Sequence, residues 1–305
     1  MKDLNIFILG GTKDSTEIIK HLKNNYNTHI LTTTTTEYGS KLAAEAGSDD
    51  TISRPLLKDE IIKIINNSDF DLLIDATHPF AEHITKTSVS VSKICNIAYI
   101  RFERPSLNFD NIDTSHIIYA KSFENAGEII SEEIPEGNVL HFAGANTMED
   151  VLKNVSTERF YPRILKVPKS IEKCEKLGIK EDHIIAMEGA ASLKENMDLI
   201  EKHDASVMIT KESGEIGGVI EKIDAANKKD ISLIMIKRPL IKEMDKKDIV
   251  SNLEELDEKI EKIIKSAETE IWTQEEKLHG ISSPAPYQAR LSRLYEYNKE
   301  IFRKV

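Results

Sequence analysis

Residues 5–23 read NIFILGGTKDSTEIIKHLK, and this stretch decides the fold. Asn5 to Leu9 is a short apolar run, Gly10-Gly11-Thr12 follows it, and Ser15 to Lys23 carries apolar residues at helical spacing. This order predicts a buried strand, a tight turn and an amphipathic helix. Glycines in such a turn let the backbone approach a phosphate, which the helix N-terminus attracts. The pattern favours a nucleotide site, and a turn without a ligand is the alternative.

Strands and helices keep alternating as far as residue 240, which predicts parallel sheets covered by helices on both faces. The predicted strands are Asn5–Leu9, Thr28–Thr33, Asp50–Ser53, Leu72–Ile74, Ala98–Phe102, Asn138–Ala143, Tyr161–Val167, His183–Met187, Ala205–Thr210 and Ile231–Lys237. The predicted fold class is α/β, with two Rossmann-like domains and a C-terminal helical extension. We place the first domain at residues 1–108, the second at 109–248 and the extension at 249–305.

The extension contains two predicted helices, Val250–Ser266 and Gln288–Phe302. The first has an apolar stripe from Leu253 to Ile264. The stripe would otherwise be exposed to water, so we expect it to pack against the first two domains or against a second subunit. In the second case the protein is a homo-oligomer.

Composition narrows the class of protein. The 305 residues carry a net charge of −11, which disfavours a nucleic-acid partner. No apolar run approaches the roughly 20 residues of a membrane helix, and no signal peptide is recognisable, so we expect a cytoplasmic protein without a membrane partner. The two cysteines and nine histidines lack metal-binding spacing, so no metal site is expected.

Residues 72–83, LLIDATHPFAEH, change from apolar to polar at the end of a predicted strand. Strand ends line the ligand crevice of open α/β sheets, so this turn is a candidate site. Pro79 suits a helix start, Thr77 is a candidate cap for that helix, and His78 should be held extended over the sheet edge. The alternative is a structural turn with a hydrogen-bonded Asp75.

A run of threonines, Thr32 to Thr36, follows the second strand, where a ribose would lie. Between the end of this strand and Glu37 there is neither an acidic residue nor an arginine, so the choice between NAD and NADP stays open. In the second domain, Lys211, Ser213, Gly214 and nearby Lys222 combine lysine, hydroxyl and glycine in an anion-binding pattern. A solvated surface loop is the alternative there.

Two groups of basic residues remain. Arg101 and Arg104 flank Glu103, and Arg163, Lys166 and Lys169 cluster around the end of a strand of the second domain. Either group can pair with carboxylates, but surface salt bridges are the commoner role of such charges.

Several of these motifs together resemble the precorrin-6A reductase family of corrinoid biosynthesis. They are ILGGTKDS, TEYG, DATHPFA, RFERP, TKESG and MIKRP, in this order from about residue 4 to residue 240. The resemblance implies NADH or NADPH at the glycine turn and a carboxylate-rich tetrapyrrole substrate between two domains. It implies hydride transfer to a macrocycle double bond of precorrin-6A, or of its cobalt form, to give the 6B product in cobalamin biosynthesis. The substrate brings its own cobalt.

On this reading the candidate residues fall into three groups. Cofactor-binding candidates are Gly10, Gly11, Thr12, Asp14, Thr35, Thr36, Ala76 and Thr77. Catalytic candidates are His78 and Thr77, with solvent an equal candidate for the proton source. Substrate-binding candidates are Lys211, Ser213, Gly214, Lys222, Arg163 and Lys166.

Departures from the family pattern lie mainly in the second domain. They include Phe142-Ala143-Gly144-Ala145-Asn146 in place of a TGSK-like stretch, and Glu188-Gly189-Ala190-Ala191-Ser192 in place of QGPFS. These changes keep open an alternative, a non-catalytic paralogue that binds a tetrapyrrole or a nucleotide as a regulator or partner. A short-chain dehydrogenase is disfavoured, because the one tyrosine with a lysine four residues further on, Tyr295, lies in the C-terminal extension and follows no predicted strand.

Overall fold

A computed structural model describes residues 4–106, 109–187, 189–212 and 218–279, with side chains of the last helix described as far as Ser266. Its strands form two six-stranded sheets, and every strand pair is parallel. Helices connect the strands in both sheets. The predicted α/β class with two parallel sheets is therefore confirmed.

The first sheet has the strand order β12-β5-β4-β1-β2-β3. Its strands are β1 (Leu4–Leu9), β2 (Thr28–Thr33), β3 (Asp50–Ile52), β4 (Leu72–Asp75), β5 (Ala98–Phe102) and β12 (Ile249–Val250). Its helices are α1 (Lys13–Asn25), α2 (Glu37–Glu45), α3 (Lys58–Asn66) and α4 (Glu82–Cys95). Leu9 pairs with Thr33 on one side and with Asp75 on the other, so the glycine, threonine and DATHPF turns leave the same edge of the sheet.

The second sheet has the strand order β6-β11-β10-β7-β8-β9. Its strands are β6 (Ile117–Ala120), β7 (Asn138–His141), β8 (Phe160–Ile164), β9 (Ile185–Ala186), β10 (Ala205–Lys211) and β11 (Ser232–Ile236). Its helices are α5 (Phe123–Glu133), α6 (Met148–Val151), α7 (Pro168–Lys176), α8 (Leu193–Lys202) and α9 (Val219–Lys229). Lys211 ends a central strand of this sheet.

Burial explains why the central strands are apolar throughout. Ile6, Phe7 and Ile8 are all fully buried, although alternate residues of a strand point to opposite faces. Helices therefore cover both faces of the first sheet, as its continuous apolar runs indicate.

Several elements differ from the prediction. Strand β6 and helix α5 were not expected, and β8 ends at Ile164 where the predicted strand runs to Val167. The strand stops early because Pro168 begins α7 and its ring suits the first helical turn.

Strand β12 returns the chain to the first sheet after the second sheet is complete. Ile249 pairs with Arg101 and Val250 pairs with Phe102, and the Glu103 amide donates to the Val250 carbonyl at 2.9 Å. Residues 249 and 250, assigned above to the extension, thus contribute a strand that covers the edge of β5. The predicted domain limits at 108 and 248 stay predictions.

One compact unit ends at Leu253, and the residues from Glu254 belong to a second. Helix α10 (Leu253–His279) accounts for the described part of that second unit. The other predicted helix, Gln288–Phe302, lies outside the described residues, and the homo-oligomer contact stays a prediction. In the part of the chain that is described, no helix is long and apolar enough to cross a membrane.

Candidate functional site

The glycine turn after β1 has a backbone that requires its glycines. Gly11 has a φ of +98°, which side chains rarely allow. A Cβ on Gly10 would lie 3.0 Å from Ser15 Oγ and 3.1 Å from the Thr32 methyl group, so the turn is tightly packed. The chain can therefore enter α1 directly from β1, with no side chain at residues 10 and 11 between the backbone and a ligand.

Thr12 caps α1 and ties two turns together. Its Oγ1 accepts from the Ser15 amide at 3.0 Å and donates to the Ala76 carbonyl at 2.8 Å. Ser15 Oγ accepts from the amides of Gly11 and Thr12, each at 3.2 Å. Ala76 is buried, and its amide donates to the Leu9 carbonyl at 2.9 Å. The predicted cofactor residues of both turns thus form one hydrogen-bonded unit.

Asp14 lies in the first turn of α1, but its carboxylate faces a cation of this chain. Arg104 Nε is 2.6 Å from Asp14 Oδ1, and the same guanidinium pairs with Glu17. Burial raises the pKa of Asp14, and the Arg104 charge partly offsets that effect. The side chain therefore holds the segment after β5 against α1.

In the threonine turn after β2, two hydroxyls are hydrogen-bonded within the turn and a third residue is exposed. Thr36 Oγ1 caps α2 by accepting from the Gly39 amide at 3.1 Å, and Thr34 Oγ1 donates to the Thr36 carbonyl at 2.8 Å. Thr35 is exposed on the same turn. Thr34 is thus part of the turn's structure, and Thr35 is the member best placed to meet a ligand.

The DATHPF turn is built around a fully buried ion pair. Asp75 Oδ1 accepts from Arg101 Nη1 at 2.8 Å, from the Thr77 amide at 3.0 Å and from the Thr77 hydroxyl at 2.6 Å. The Tyr99 hydroxyl donates to Asp75 Oδ2 at 3.3 Å. Burial lowers the pKa of Arg101, but the carboxylates of Asp75 and Glu103 outweigh it and raise that pKa overall.

This geometry corrects two expectations. Thr77 does not cap a helix, since it bonds to Asp75 and α4 starts only at Glu82. Arg101 is not a surface residue, because only 1% of it is exposed. Of the two arginines around Glu103, only Arg104 forms the exposed ion pairs that the sequence favours.

His78 lies beyond this network with its ring partly open to solvent. Its Nδ1 accepts from the Phe80 amide at 3.2 Å, so the ring proton of the neutral form is on Nε2. The pKa of His78 is lowered to about 4, first by burial of the charged form and then by the positive charges of Lys211, Arg101 and Arg238. The imidazole is therefore neutral at pH 7 and can donate a hydrogen bond from Nε2.

Lys211 brings the second sheet to this turn. Its ammonium lies 5.4 Å from the ring centre of Phe80, which follows β4, and 5.5 Å from that of Phe123, which begins α5. Burial lowers the pKa of Lys211. No carboxylate of the described residues pairs with it. A desolvated cation over two aromatic faces suits an anionic ligand.

Two further cations, Arg163 and Lys222, lie close together beside β8 and α9. The Arg163 guanidinium lies 5.5 Å from the Phe142 ring centre and donates to the Gly189 carbonyl. Lys222 is buried, and its pKa falls to about 8 because of burial and then of the Arg163 charge, with Glu221 acting in the opposite direction. Arg163 and Lys222 stay predicted substrate-binding residues, and their charges suit carboxylates.

The other substrate candidates are less informative. Lys166 is exposed on the loop after β8. Ser213 and Gly214 lie outside the described residues. Among the residues that are described, no group of three His, Cys, Asp or Glu side chains could hold a metal ion.

Sequence reasoning missed several residues that join the two sheets. Phe80 and Phe123 flank Lys211, and Arg238 bonds to the backbone after β5. Phe80 belongs to the motif DATHPFA and Arg238 to the motif MIKRP. The motifs therefore pointed to these residues but did not indicate their contacts.

A cavity of about 600 Å³ lies between α4 and residues 242–248. Its lining includes Lys93, Tyr99 and Lys247, and none of the predicted site residues. It therefore lies apart from the predicted site residues, and Tyr99 is the lining residue that also bonds to Asp75.

Comparison with known proteins gives a consistent result. The model of a family described as Precorrin-6x reductase CbiJ/CobK matches residues 5–261. The cobalt-precorrin-6A reductase of Methanothermobacter thermautotrophicus is 36% identical over 263 residues, covering 86% of this chain and 85% of the relative. That of Methanocaldococcus jannaschii is 37% identical over 238 residues, covering 78% of this chain and 92% of the relative.

A solved structure described as CobK precorrin-6A reductase is similar in fold. It superposes with a TM-score of 0.65 at 17% sequence identity, covering 85% of this chain and 97% of the other. At that identity the likeness concerns the fold alone.

Proposed function

The chain belongs to the precorrin-6x reductase CbiJ/CobK family, and on that premise we propose that it reduces a carbon–carbon double bond of cobalt-precorrin-6A. The proposed reductant is NADH or NADPH. The observation that carries the proposal is the meeting of a phosphate-type glycine turn and the DATHPF turn with Lys211 of the second sheet. The first sheet would thus bind the nucleotide and the second sheet the anionic substrate, within one site.

The first sheet fits a nicotinamide nucleotide. Gly10 and Gly11 leave no side chain between the backbone and a pyrophosphate. The amides of Gly11, Thr12 and Ser15 are used within the Thr12–Ser15 cap, so a pyrophosphate would meet the amides of Lys13 and Asp14 and the positive end of the α1 dipole. The bound nucleotide would supply the hydride. Exposed Thr35 offers a hydroxyl where the ribose of the nucleotide would lie, and Thr36 next to it stays a predicted contact. A hydroxyl does not distinguish a ribose hydroxyl from a 2′-phosphate, so the choice between NADH and NADPH stays open.

The second sheet fits a substrate with several carboxylates. Lys211, Arg163 and Lys222 are cations whose pKa values are all lowered by burial, so each is poorly hydrated before a ligand arrives. Charge-assisted bonds to carboxylates would compensate for that loss of water. They also supply local positive charge on a chain whose net charge is −11. We extend the substrate role to Lys166, Ser213 and Gly214 as a proposal.

The residues of the DATHPF turn would orient the reactants and exclude water. Thr77 is held by Asp75 and Arg101, so its position is fixed before any ligand binds. His78 is neutral at pH 7, so its role would be a hydrogen bond from Nε2 rather than transfer of an imidazolium proton. We therefore propose solvent as the source of the proton that completes the reduction.

The test is anaerobic oxidation of NADH and of NADPH in the presence of cobalt-precorrin-6A. The proposal expects turnover with at least one nucleotide and a product reduced by two electrons. Tight tetrapyrrole binding without turnover would favour the alternative, a non-catalytic paralogue.

A matched pair of variants tests the substrate half. Lys222→Met removes a buried cation, whereas Lys228→Met removes an exposed lysine from the same helix. Loss of one charge-assisted bond costs about 1–3 kcal/mol, so the KM for the tetrapyrrole should rise roughly 5- to 150-fold in Lys222→Met alone. An equal KM in the two variants would remove Lys222 from the site.

A further inference from the structure

Arg238 connects segments of the chain that follow strands of different sheets. It comes two residues after β11, and 12% of its side chain is exposed. Its Nη1 donates to the Arg104 carbonyl at 2.7 Å, and its Nε donates to the Glu212 carbonyl at 3.0 Å. Arg104 follows β5 of the first sheet, and Glu212 follows β10 of the second. One guanidinium therefore holds two strand ends together.

The same guanidinium continues into the buried network around Asp75. Arg238 Nη1 is 3.4 Å from Glu103 Oε1, and the other oxygen of Glu103 accepts from Arg101 Nε at 3.1 Å. Arg101 Nη1 in turn donates to Asp75 and Thr77. Two carboxylates and two guanidiniums thus alternate from the DATHPF turn to the Lys211 turn.

A row of alternating carboxylates and guanidiniums fixes the relative positions of the segments that carry them. A guanidinium presents its donors in a rigid planar fork, so its partners must lie in fixed directions. Buried charges are costly when a partner is missing, which penalises any arrangement that opens the chain of pairs. The link from Asp75 to Glu212 should therefore hold the two turns at one separation.

We propose that Arg238 is a positioning residue for the reduction. It acts through Glu212 on the neighbouring Lys211 and through Glu103 on the DATHPF turn. It thereby sets the distance between nucleotide and macrocycle. This inference rests on the proposed function. Arg238 is not assigned to substrate binding, since its Nε and Nη1 already donate within the protein.

The test compares Arg238→Met with Arg159→Met. Arg159 is a matched control, because its guanidinium also bonds backbone carbonyls, those of Ile134, Pro135 and Glu136, but all within the second sheet's half. Misplacing reactants by about 1 Å can cost roughly 100-fold in rate, so kcat of Arg238→Met should fall by about that factor. Arg159→Met should stay close to the wild type, and Arg238→Lys, which keeps the charge without the fork, should fall between.

The division between kcat and KM identifies the kind of role. A positioning residue lowers kcat and changes the nucleotide Kd much less, because the hydrogen bonds that Arg238 makes within the described residues go to Glu103, Arg104, Pro105 and Glu212 rather than to the Gly10–Thr12 turn. A raised tetrapyrrole KM with unchanged kcat would show a substrate-binding role and overturn the inference. The double variant Glu103→Gln/Arg238→Met should be no slower than Arg238→Met alone, since both remove one link. Independent effects that multiply would contradict it.

A distance measurement separates this inference from the proposed function. Nitroxide labels at Lys20→Cys and Lys228→Cys, in a Cys95→Ser background, report on the two halves from exposed positions. Arg238→Met should broaden the distance distribution, and Arg159→Met should not. An equally narrow distribution in both variants would overturn the inference. Absence of turnover in the wild type would instead refute the proposed function.

Discussion

Replacing Arg101 by methionine should severely destabilise the first sheet. Arg101 is 1% exposed and Asp75 is fully buried, so the pair is shielded from water. The substitution removes the donors to Asp75 Oδ1, the Thr77 hydroxyl and Glu103 Oε2. Methionine fills much of the volume, and therefore most of the effect should come from charge. The Asp75 carboxyl group would then have only the Thr77 and Tyr99 donors.

The magnitude follows from the burial of the pair. Breaking a buried ion pair by removing one partner costs about 3–5 kcal/mol, because the other charge is left uncompensated. In a domain of this size 1 kcal/mol shifts the melting temperature by roughly 2–4 °C, so the expected loss is about 6–20 °C. Asp75→Asn in the Arg101→Met background should recover part of that loss, since no buried charge is then left unpaired.

Differential scanning calorimetry of the single and double variants measures these shifts. Arg54→Met is the control, because Arg54 pairs with Glu60 at 2.7 Å on the surface, where 57% of its side chain is exposed. Its melting temperature should remain close to that of the wild type. A loss below about 2 °C in Arg101→Met, or losses that simply add in the double variant, would refute this account of the buried pair.

Two further predictions concern the nucleotide half of the site. Gly11→Ala and Gly178→Ala both place a side chain at positive φ, +98° and +72°, and each should cost about 1–3 kcal/mol of stability. Only Gly11→Ala should weaken NADH or NADPH binding in calorimetric titration, and equal Kd values would separate the turn from the cofactor. His78, with a pKa lowered from 6.5 to about 4, takes up its proton in the unfolded state first, so stability should fall as the pH drops through that window. His78→Gln should flatten this slope in melting curves recorded between about pH 4 and 7, and an unchanged slope would contradict the lowered pKa.

The sequence predicts the central strands well because burial on both faces makes them uniformly apolar. Leu72 to Ile74 and Asn5 to Leu9 were assigned in this way, and the glycine turn between β1 and α1 follows from its local geometry. Strand β6 was missed because only Ala120 of its four residues is buried, so its pattern is weak. Strand β12 has two residues, and its partner β5 lies far away along the chain.

The site was predictable in location but not in its contacts. Strand ends of a parallel sheet share an edge, which brings the Gly10–Thr12 turn and Thr77 together without further information. The burial of Arg101 was not predictable, because a charged residue near a proline usually lies at the surface and only tertiary packing encloses it. The meeting of Phe80 with Lys211 likewise depends on how the two sheets face each other, which local patterns do not encode.

The pairing of β12 with β5 has a consequence for biosynthesis of the chain. In the order of synthesis the second sheet interrupts the first, because Ile249 and Val250 are made only after residues 117–236. Until then the nascent first sheet has an open edge at β5, where the Glu103 amide still lacks its acceptor on Val250. Exposed edges of this kind recruit other strands, so the newly made protein is most vulnerable to aggregation during that interval. Closure of the edge by two residues is accordingly the last step that completes the first sheet.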